Sequence, residues 1–366
     1  MTTPGIPDLQ HEPGVTAEPE EITLEQKETV GLSQAQIVRR RFFRHKGAMI
    51  SMFMLIFILL LSVTSIGVGP IPGWWQWSPY DRPPPLNPRG EPTLEIPLFG
   101  GTGFSIGSHP FGQDETGRDM FAATMLGIQN TMVVIVVLGL LSTTIGVVVG
   151  AVAGYFGGWW DSVLMRLTDT IIIIPLILIT AVAGYSLGAT GVLAVAMVMG
   201  LFLWMGLARL VRAEFLALRE REFVDAARVA GASSSRIIFK HILPNSVGVV
   251  VVNVTLLMGT GILTEVALGF LGFGIQPPNI SLGSLISQYQ GAFTTRPWLF
   301  VWPGVFIIAI VLCIQFIGDG LRDAFDPRQK RIPKQKDLKA AATTPAAPTV
   351  QGAVMVEADE KPKSTP

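Results

Sequence analysis

Six stretches of this chain are long and apolar enough to cross a hydrocarbon core, which takes about 20 residues of helix. They run over residues 47–69, 129–154, 162–184, 191–208, 247–270 and 299–318. The first carries no charge, and the third is interrupted by Pro175. Internal Gly and Pro are tolerable in a span, because packed neighbours satisfy the loosened backbone. The pattern therefore predicts an all-α integral membrane protein with six transmembrane helices. The first apolar run is long and lies behind a polar segment, so it reads as an uncleaved anchor rather than a signal peptide. Residues 1–36 and 333–366 are rich in Pro, Glu, Thr, Ala and Lys, lack apolar periodicity and are expected to be disordered. No internal repeat of fixed period is visible.

Charge sharpens this picture. Only 15% of the 366 residues are charged, against roughly 25% in a typical soluble protein. Residues 1–46 hold 13 charges and residues 319–366 hold 16, which leaves 25 for the 272 residues between. A soluble domain of that size needs far more charge to cover its surface. The charge distribution therefore argues against an ordinary soluble enzyme. A net charge of zero and a pI near 6.9 argue against an electrostatic nucleic-acid binder. A lone Cys313 excludes an intrachain disulfide framework and any multi-cysteine metal site.

Basic residues set orientation in a membrane. The run Arg39-Arg40-Arg41-Phe42-Phe43-Arg44-His45-Lys46 precedes the first span. Placing it in the cytoplasm leaves 23 basic residues on that side and 4 outside, namely Arg82, Arg89, Arg118 and Arg296. Both termini are then predicted to be cytoplasmic.

The first outer loop, about residues 69–128, contains 10 of the 26 prolines and carries Trp74, Trp75 and Trp77 just after the first span. The three indoles read as an interfacial belt rather than a ligand-stacking set. The segment His109 to Asp119 is dense in turn formers and charge, and reads as a solvated loop with local Asp–Arg pairs. The second outer loop, Gly274 to Pro297, has no acidic residue and carries no chemical signal.

Within the second span, Ser142, Gly146, Gly150 and Gly154 recur at i, i+4 and form a small-residue face that admits another backbone. Two carboxylates lie in or near spans. Asp169 follows Arg166 by three residues, a spacing that permits an ion pair on one helix face. Glu265 lies near the outer end of the fifth span. An intramembrane carboxylate is a functional candidate by default, and the alternative is that it bonds a neighbouring helix or sits at the interface.

The cytoplasmic loop 209–246 is longer and more helical than a connection requires. Residues 213–230 are rich in strong helix formers. Gly231 is placed as the left-handed C′ residue that ends a helix. Ser233 is placed to N-cap a second helix, 234–243, which Pro244 ends. Two short helices around a Gly turn are expected, with Ala226 and Ala227 leaving a low surface for close docking. A DNA-reading helix-turn-helix also has such a turn, but this loop is too short for a folded DNA-binding domain, and both its ends are held at a membrane.

The run Asp225-Ala226-Ala227, three residues, Gly231, nine residues, then His241-Ile242-Leu243-Pro244 resembles the EAA loop of ABC importer permeases. Asp225 stands where that pattern has Glu, and His241 where it has Ile. His109-Pro110-Phe111-Gly112 with Gly117-Arg118-Asp119, the run Phe270 to Pro278, and Gly318 to Pro327 also resemble the C-type subunit of dipeptide/oligopeptide (peptide/nickel family) ABC importers. The resemblance covers about residues 37–330, and it departs at Leu282, where many relatives have Trp.

The resemblance implies a type I ABC importer permease fold. It implies a cytoplasmic tail (1–36), a first helix with its Pro-rich outer loop (37–128), a five-helix core (129–318) and a C-terminal tail (319–366), disordered mostly after 332. Loop 209–246 would hold the coupling helix. Asp225 would pair with an ATPase arginine, Ala226 and Ala227 would permit close approach, and Gly231 would make the turn. Implied partners are two cytoplasmic ABC ATPase subunits, a second homologous permease in a heterodimer, an extracytoplasmic substrate-binding protein and membrane lipid, with no nucleic acid.

The chain contains no G-x-x-x-x-G-K-[ST] phosphate loop. ATP and Mg would therefore sit on the partner subunits, and this chain would bind no cofactor and catalyse nothing itself. The implied activity is peptide import by alternating access in the bacterial inner membrane. An ion-coupled secondary transporter using Glu265 and Asp169 is the alternative, although the inverted repeats common in that class are not visible. An intramembrane enzyme is disfavoured because His11, His45, His109 and His241 all lie outside the spans.

Overall fold

A computed structural model of the chain describes residues 34–85, 89–95, 105–187 and 191–325. The expected disorder of 1–36 and 333–366 falls almost wholly outside these residues. The elements are α1 (Gln34–Arg44), α2 (Lys46–Ile66), a hairpin of β1 (Gly67–Val68) and β2 (Ile71–Pro72), α3 (Met120–Phe156), α4 (Gly158–Ile172), α5 (Leu176–Leu187) and α6 (Val192–Phe202). They continue with α7 (Met205–Arg219), α8 (Glu222–Val229), α9 (Ser234–Phe270), α10 (Leu282–Tyr289) and α11 (Trp298–Phe325). Gly67 pairs with Pro72 and Val68 with Ile71 in the hairpin.

Four of these helices, α2, α3, α9 and α11, are unbroken and long and apolar enough to span a membrane. Two bent pairs are long and apolar enough only when taken together: α4 with α5, bent by 77°, and α6 with α7, bent by 40°. The first bend lies at Pro175, whose ring and missing N–H break a helix. The second follows Leu203 and Trp204, and α7 then continues past the predicted end at 208 to Arg219.

Helix α3 also exceeds the predicted span, starting at Met120 rather than 129. Asp119 is the reason, since its side chain accepts from the Ala122 N–H and caps the helix. At 37 residues the helix is about 55 Å long. It forms the spine against which the other spans pack.

The small-residue face of α3 meets α6 and α7. Ser142 Oγ donates to Gly200 O at 2.9 Å. A Cβ added at Gly146 would lie 3.1 Å from Leu207 Cβ, one at Gly150 2.5 Å from Ala208 O, and one at Gly154 2.6 Å from Phe215 Cβ. Gly150→Val is therefore expected to destabilise by about 1–3 kcal/mol through overpacking. Gly206→Ala, where the added Cβ meets nothing within 4 Å, should not destabilise. Thermal unfolding in detergent separates the two.

On the same side of the bundle as Gly154, α11 closes on the start of α2. A Cβ at Gly320 would come within 2.3 Å of Ala48 Cβ. His45 caps α2 through Nδ1, which accepts from Ala48 N at 3.0 Å. Its Nε2 lies 3.4 Å from Asp323. The terminal Gly-Asp-Gly motif thus serves helix packing.

Candidate functional site

The segment 209–246 carries a short projecting helix, α8. Residues 213–230 do not form one helix, as propensity suggested. Helix α7 runs out at Arg219, Arg221 is extended (φ −89, ψ 144), and α8 begins at Glu222. The break lets Val224, fully buried, join Phe215, Ile237 and Ile242 in a small core. Propensity differences of a few tenths of a kcal/mol per residue cannot resist burial of a valine.

Gly231 ends α8 with φ +77. Gly231 N donates to Arg228 O at 2.9 Å and Ala232 N to Ala227 O at 3.0 Å, the paired bonds of a Schellman stop. Ser233 then adopts the extended N-cap conformation, but its hydroxyl makes no cap bond and lies 3.3 Å from Ser235 Oγ.

Pro244 does not end the second helix. Residues Ile237–Ile242 form a π turn, and Leu243 N donates to Ile238 O, five residues back. The widened turn gives the proline ring room, so the helix continues through Pro244 to Phe270. His241 lies half-buried in that turn, and its carbonyl accepts from Asn245 Nδ2 at 2.6 Å.

The two alanines face different ways. Ala226 is exposed with Asp225 and Val229, the last 90% exposed. Ala227 is packed against the small core. One residue is about 100° of helix, so both cannot share an outer surface. Asp225 bonds Arg228 Nη1 at 2.8 Å, one turn away.

The carboxylates of the spans also have partners. Asp169 pairs with Arg209 Nη2 at 2.5 Å, not with Arg166 as i, i+3 spacing suggested. Arg209 reaches α4 from an antiparallel helix, which no local spacing reveals. Glu265 is fully buried, and Ser281 Oγ donates to its Oε1 at 2.7 Å. Its Oε2 has no hydrogen-bond partner among the described residues. It thus bonds a neighbouring element at the start of α10. Leu282 is buried beside it, with its N–H 3.2 Å from Thr131 Oγ1.

The segment His109 to Asp119 is not a solvated loop. His109, Gln113, Asp114 and Asp119 are buried. Asp119 Oδ1 meets His109 Nδ1 at 2.9 Å, and its Oδ2 accepts from Trp75 Nε1 and Ala122 N, both at 2.8 Å. Trp77 stacks on His109 and Phe111 on Trp302. Two of the three tryptophans therefore build this cap rather than an interfacial belt.

Asp114 Oδ1 accepts from Thr116 N, Thr116 Oγ1 and Arg118 N, while Oδ2 accepts from Tyr289 Oη at 2.7 Å. Burial alone would raise the Asp114 carboxyl, but the bonds from Tyr289, Thr116 and Arg118 outweigh it and hold it below the usual range. Burial and the nearby Asp114 charge push the Tyr289 phenol up. A depressed carboxyl stabilises above its unfolded pKa and is lost as pH falls through the lower folded value. A raised phenol stabilises below its unfolded pKa and is lost only in strong alkali. The pair is therefore expected to hold from near pH 4 to near pH 10. Tyr289→Phe should cost about 1.5–3 kcal/mol by removing a bond to a charged group, read as faster amide exchange across 109–119.

Comparison with known proteins adds to this geometry. The family model described as binding-protein-dependent transport system inner membrane component matches residues 146–331. The one described as the N-terminal TM domain of oligopeptide transport permease C matches residues 33–89. The chain is 36% identical over 301 residues to the oligopeptide transport system permease protein OppC of Mycobacterium tuberculosis, covering 82% of this chain and 97% of that one. To OppC of Haemophilus influenzae it is 35% identical over 307 residues, covering 84% and 93%. Among solved structures, an inward-facing MetNI methionine ABC transporter aligns with TM-score 0.47 and 22% identity, over 57% of this chain and 98% of that chain.

Proposed function

This chain belongs to the family of binding-protein-dependent transport system inner membrane components, in its oligopeptide permease branch, and we propose that it is the membrane subunit of an ATP-driven peptide importer. It assembles with other subunits of an ABC transporter. The finer composition follows the family logic: two cytoplasmic ATPases, a second homologous permease and an extracytoplasmic binding protein. With no phosphate loop in the chain, ATP and Mg act on the partner subunits. The basic run before α2 supports a cytoplasmic side for both termini.

The observation that carries this reading is α8. Its Asp225, Ala226 and Val229 face outward, and its inner face is fixed by Val224 on Phe215, Ile237 and Ile242. A rigid, low knob of this kind suits a docking lever. Asp225 would exchange Arg228 for an arginine of the ATPase. Ala226 would allow the close approach, whereas Ala227 would fix the knob from within. His241 and Pro244, at the π turn, would form the joint with the fifth span.

A secondary transporter using Glu265 and Asp169 is not favoured, since Ser281 and Arg209 already engage those carboxylates. The test is peptide uptake by the assembled complex in vesicles. Uptake that needs ATP and resists an ionophore is expected. Uptake that survives ATP depletion but collapses with the ion gradient would overturn the proposal.

A further inference from the structure

Helix α4 has little packing of its own. Only Thr168 is buried among its residues, and Trp159, Val163 and Leu167 stay exposed. Charge holds it to α7. Arg212 forks onto Asp161 through Nε and Nη2, the latter 2.6 Å from Oδ2. Three residues earlier on α7, Arg209 meets Asp169 at 2.5 Å. Residue numbers rise along α7 as they fall along α4, so the helices run antiparallel. The two pairs bracket about 12 Å of α4, roughly half its length.

The base of Arg212 has no room to slide. A Cβ at Gly150 would lie 3.0 Å from Arg212 N, and one at Gly154 2.7 Å from Arg212 O. Arg219, at the end of α7, donates to Tyr155 O at 3.1 Å. Helix α7 joins α8 through only Glu220 and Arg221, and Phe215 and Val224 share one core. Displacement of α8 must therefore carry α7.

Apolar contact between helices is a weak fastener in lipid, because lipid tails are equally apolar. A bidentate Arg–carboxylate pair is directional and holds register. Asp161–Arg212 is the more sheltered pair, with side chains 21% and 33% exposed, against 58% and 46% for Asp169–Arg209. Screening weakens the second more.

We infer that Asp161–Arg212 and Asp169–Arg209 form a two-point strap by which α7 drags the first half of the third span when α8 is displaced. The four side chains are positioning residues for transport. The inference rests on α8 being the docking lever.

The test compares peptide uptake and ATP hydrolysis by the assembled complex in vesicles. Asp161→Arg and Arg212→Asp are each expected to lower peptide moved per ATP about tenfold, equivalent to ~1.4 kcal/mol. Hydrolysis should continue. The double swap should recover most of the loss, and Arg212→Lys, which keeps charge without the fork, should fall between. Uptake and hydrolysis that decline together with the amount of assembled complex would mean a merely structural role and overturn the strap. So would single variants that stay fully coupled, or a double swap no better than either single.

If a reversal prevents assembly, Asp161→Cys with Arg212→Cys offers a second measurement. Joining the two by a short bis-maleimide should restore coupled uptake. Loss of uptake on joining would show that the helices must separate and would overturn the strap. Absence of ATP-driven uptake in the wild-type complex would instead sink the importer reading itself.

Discussion

Gly231→Pro is expected to abolish coupled transport while leaving the chain in the membrane. Gly231 holds φ +77, and proline is locked near −65°. Proline also lacks the N–H that donates to Arg228 O. The Schellman stop would open and α8 would lose its fixed direction. The local cost is about 3 kcal/mol or more, enough to unseat an eight-residue helix but not the six spans. Gly231→Ala is the graded control. No atom lies within 4 Å of its Cβ, so only the left-handed backbone is penalised, by about 1–2 kcal/mol. The measurement is uptake against ATP hydrolysis at equal chain levels in the membrane. Normal ATP-dependent uptake by the proline variant would remove α8 from the coupling path.

Asp119→Ala should have the largest effect on stability. Asp119 is 0% exposed and serves three groups at once. It caps the 37-residue α3, anchors the Trp75 indole and holds His109. The substitution removes a cap worth about 0.5–2 kcal/mol. It also strands buried donors at about 1–3 kcal/mol each. A total of roughly 3–5 kcal/mol is expected, since such terms are not fully additive. The readout is the amount of folded chain in the membrane and its unfolding temperature in detergent. Asp119→Asn keeps one acceptor oxygen and should fall between. An alanine variant as stable as the wild type would show that this polar cap is dispensable.

The EAA-like loop shows how far local reading reaches. The turn at Gly231 follows from the residue alone, since only glycine takes that φ cheaply. The direction of α8 does not, because it depends on Val224 finding Phe215 nine positions earlier and Ile237 after the turn. Similarly, Pro244 reads as a helix stop until the π turn ahead of it supplies room. Asp169 has a plausible partner three residues away, yet takes one 40 positions on. The His109–Asp119 segment looks solvated because its polar density is visible in sequence. Its burial under Trp75, Trp77, Trp302 and Tyr289 is not.

The apolar spans, the small-residue face of α3 and the glycine stop after α8 were legible along the chain alone. These are properties of short windows, governed by hydrocarbon thickness, helical period and backbone sterics. Tertiary packing chose which charge meets which, which alanine of the pair faces out, and that the segment His109 to Asp119 is a buried polar cap. Buried polar groups must find partners wherever packing brings them, so those choices depend on contacts across tens of residues rather than within one turn.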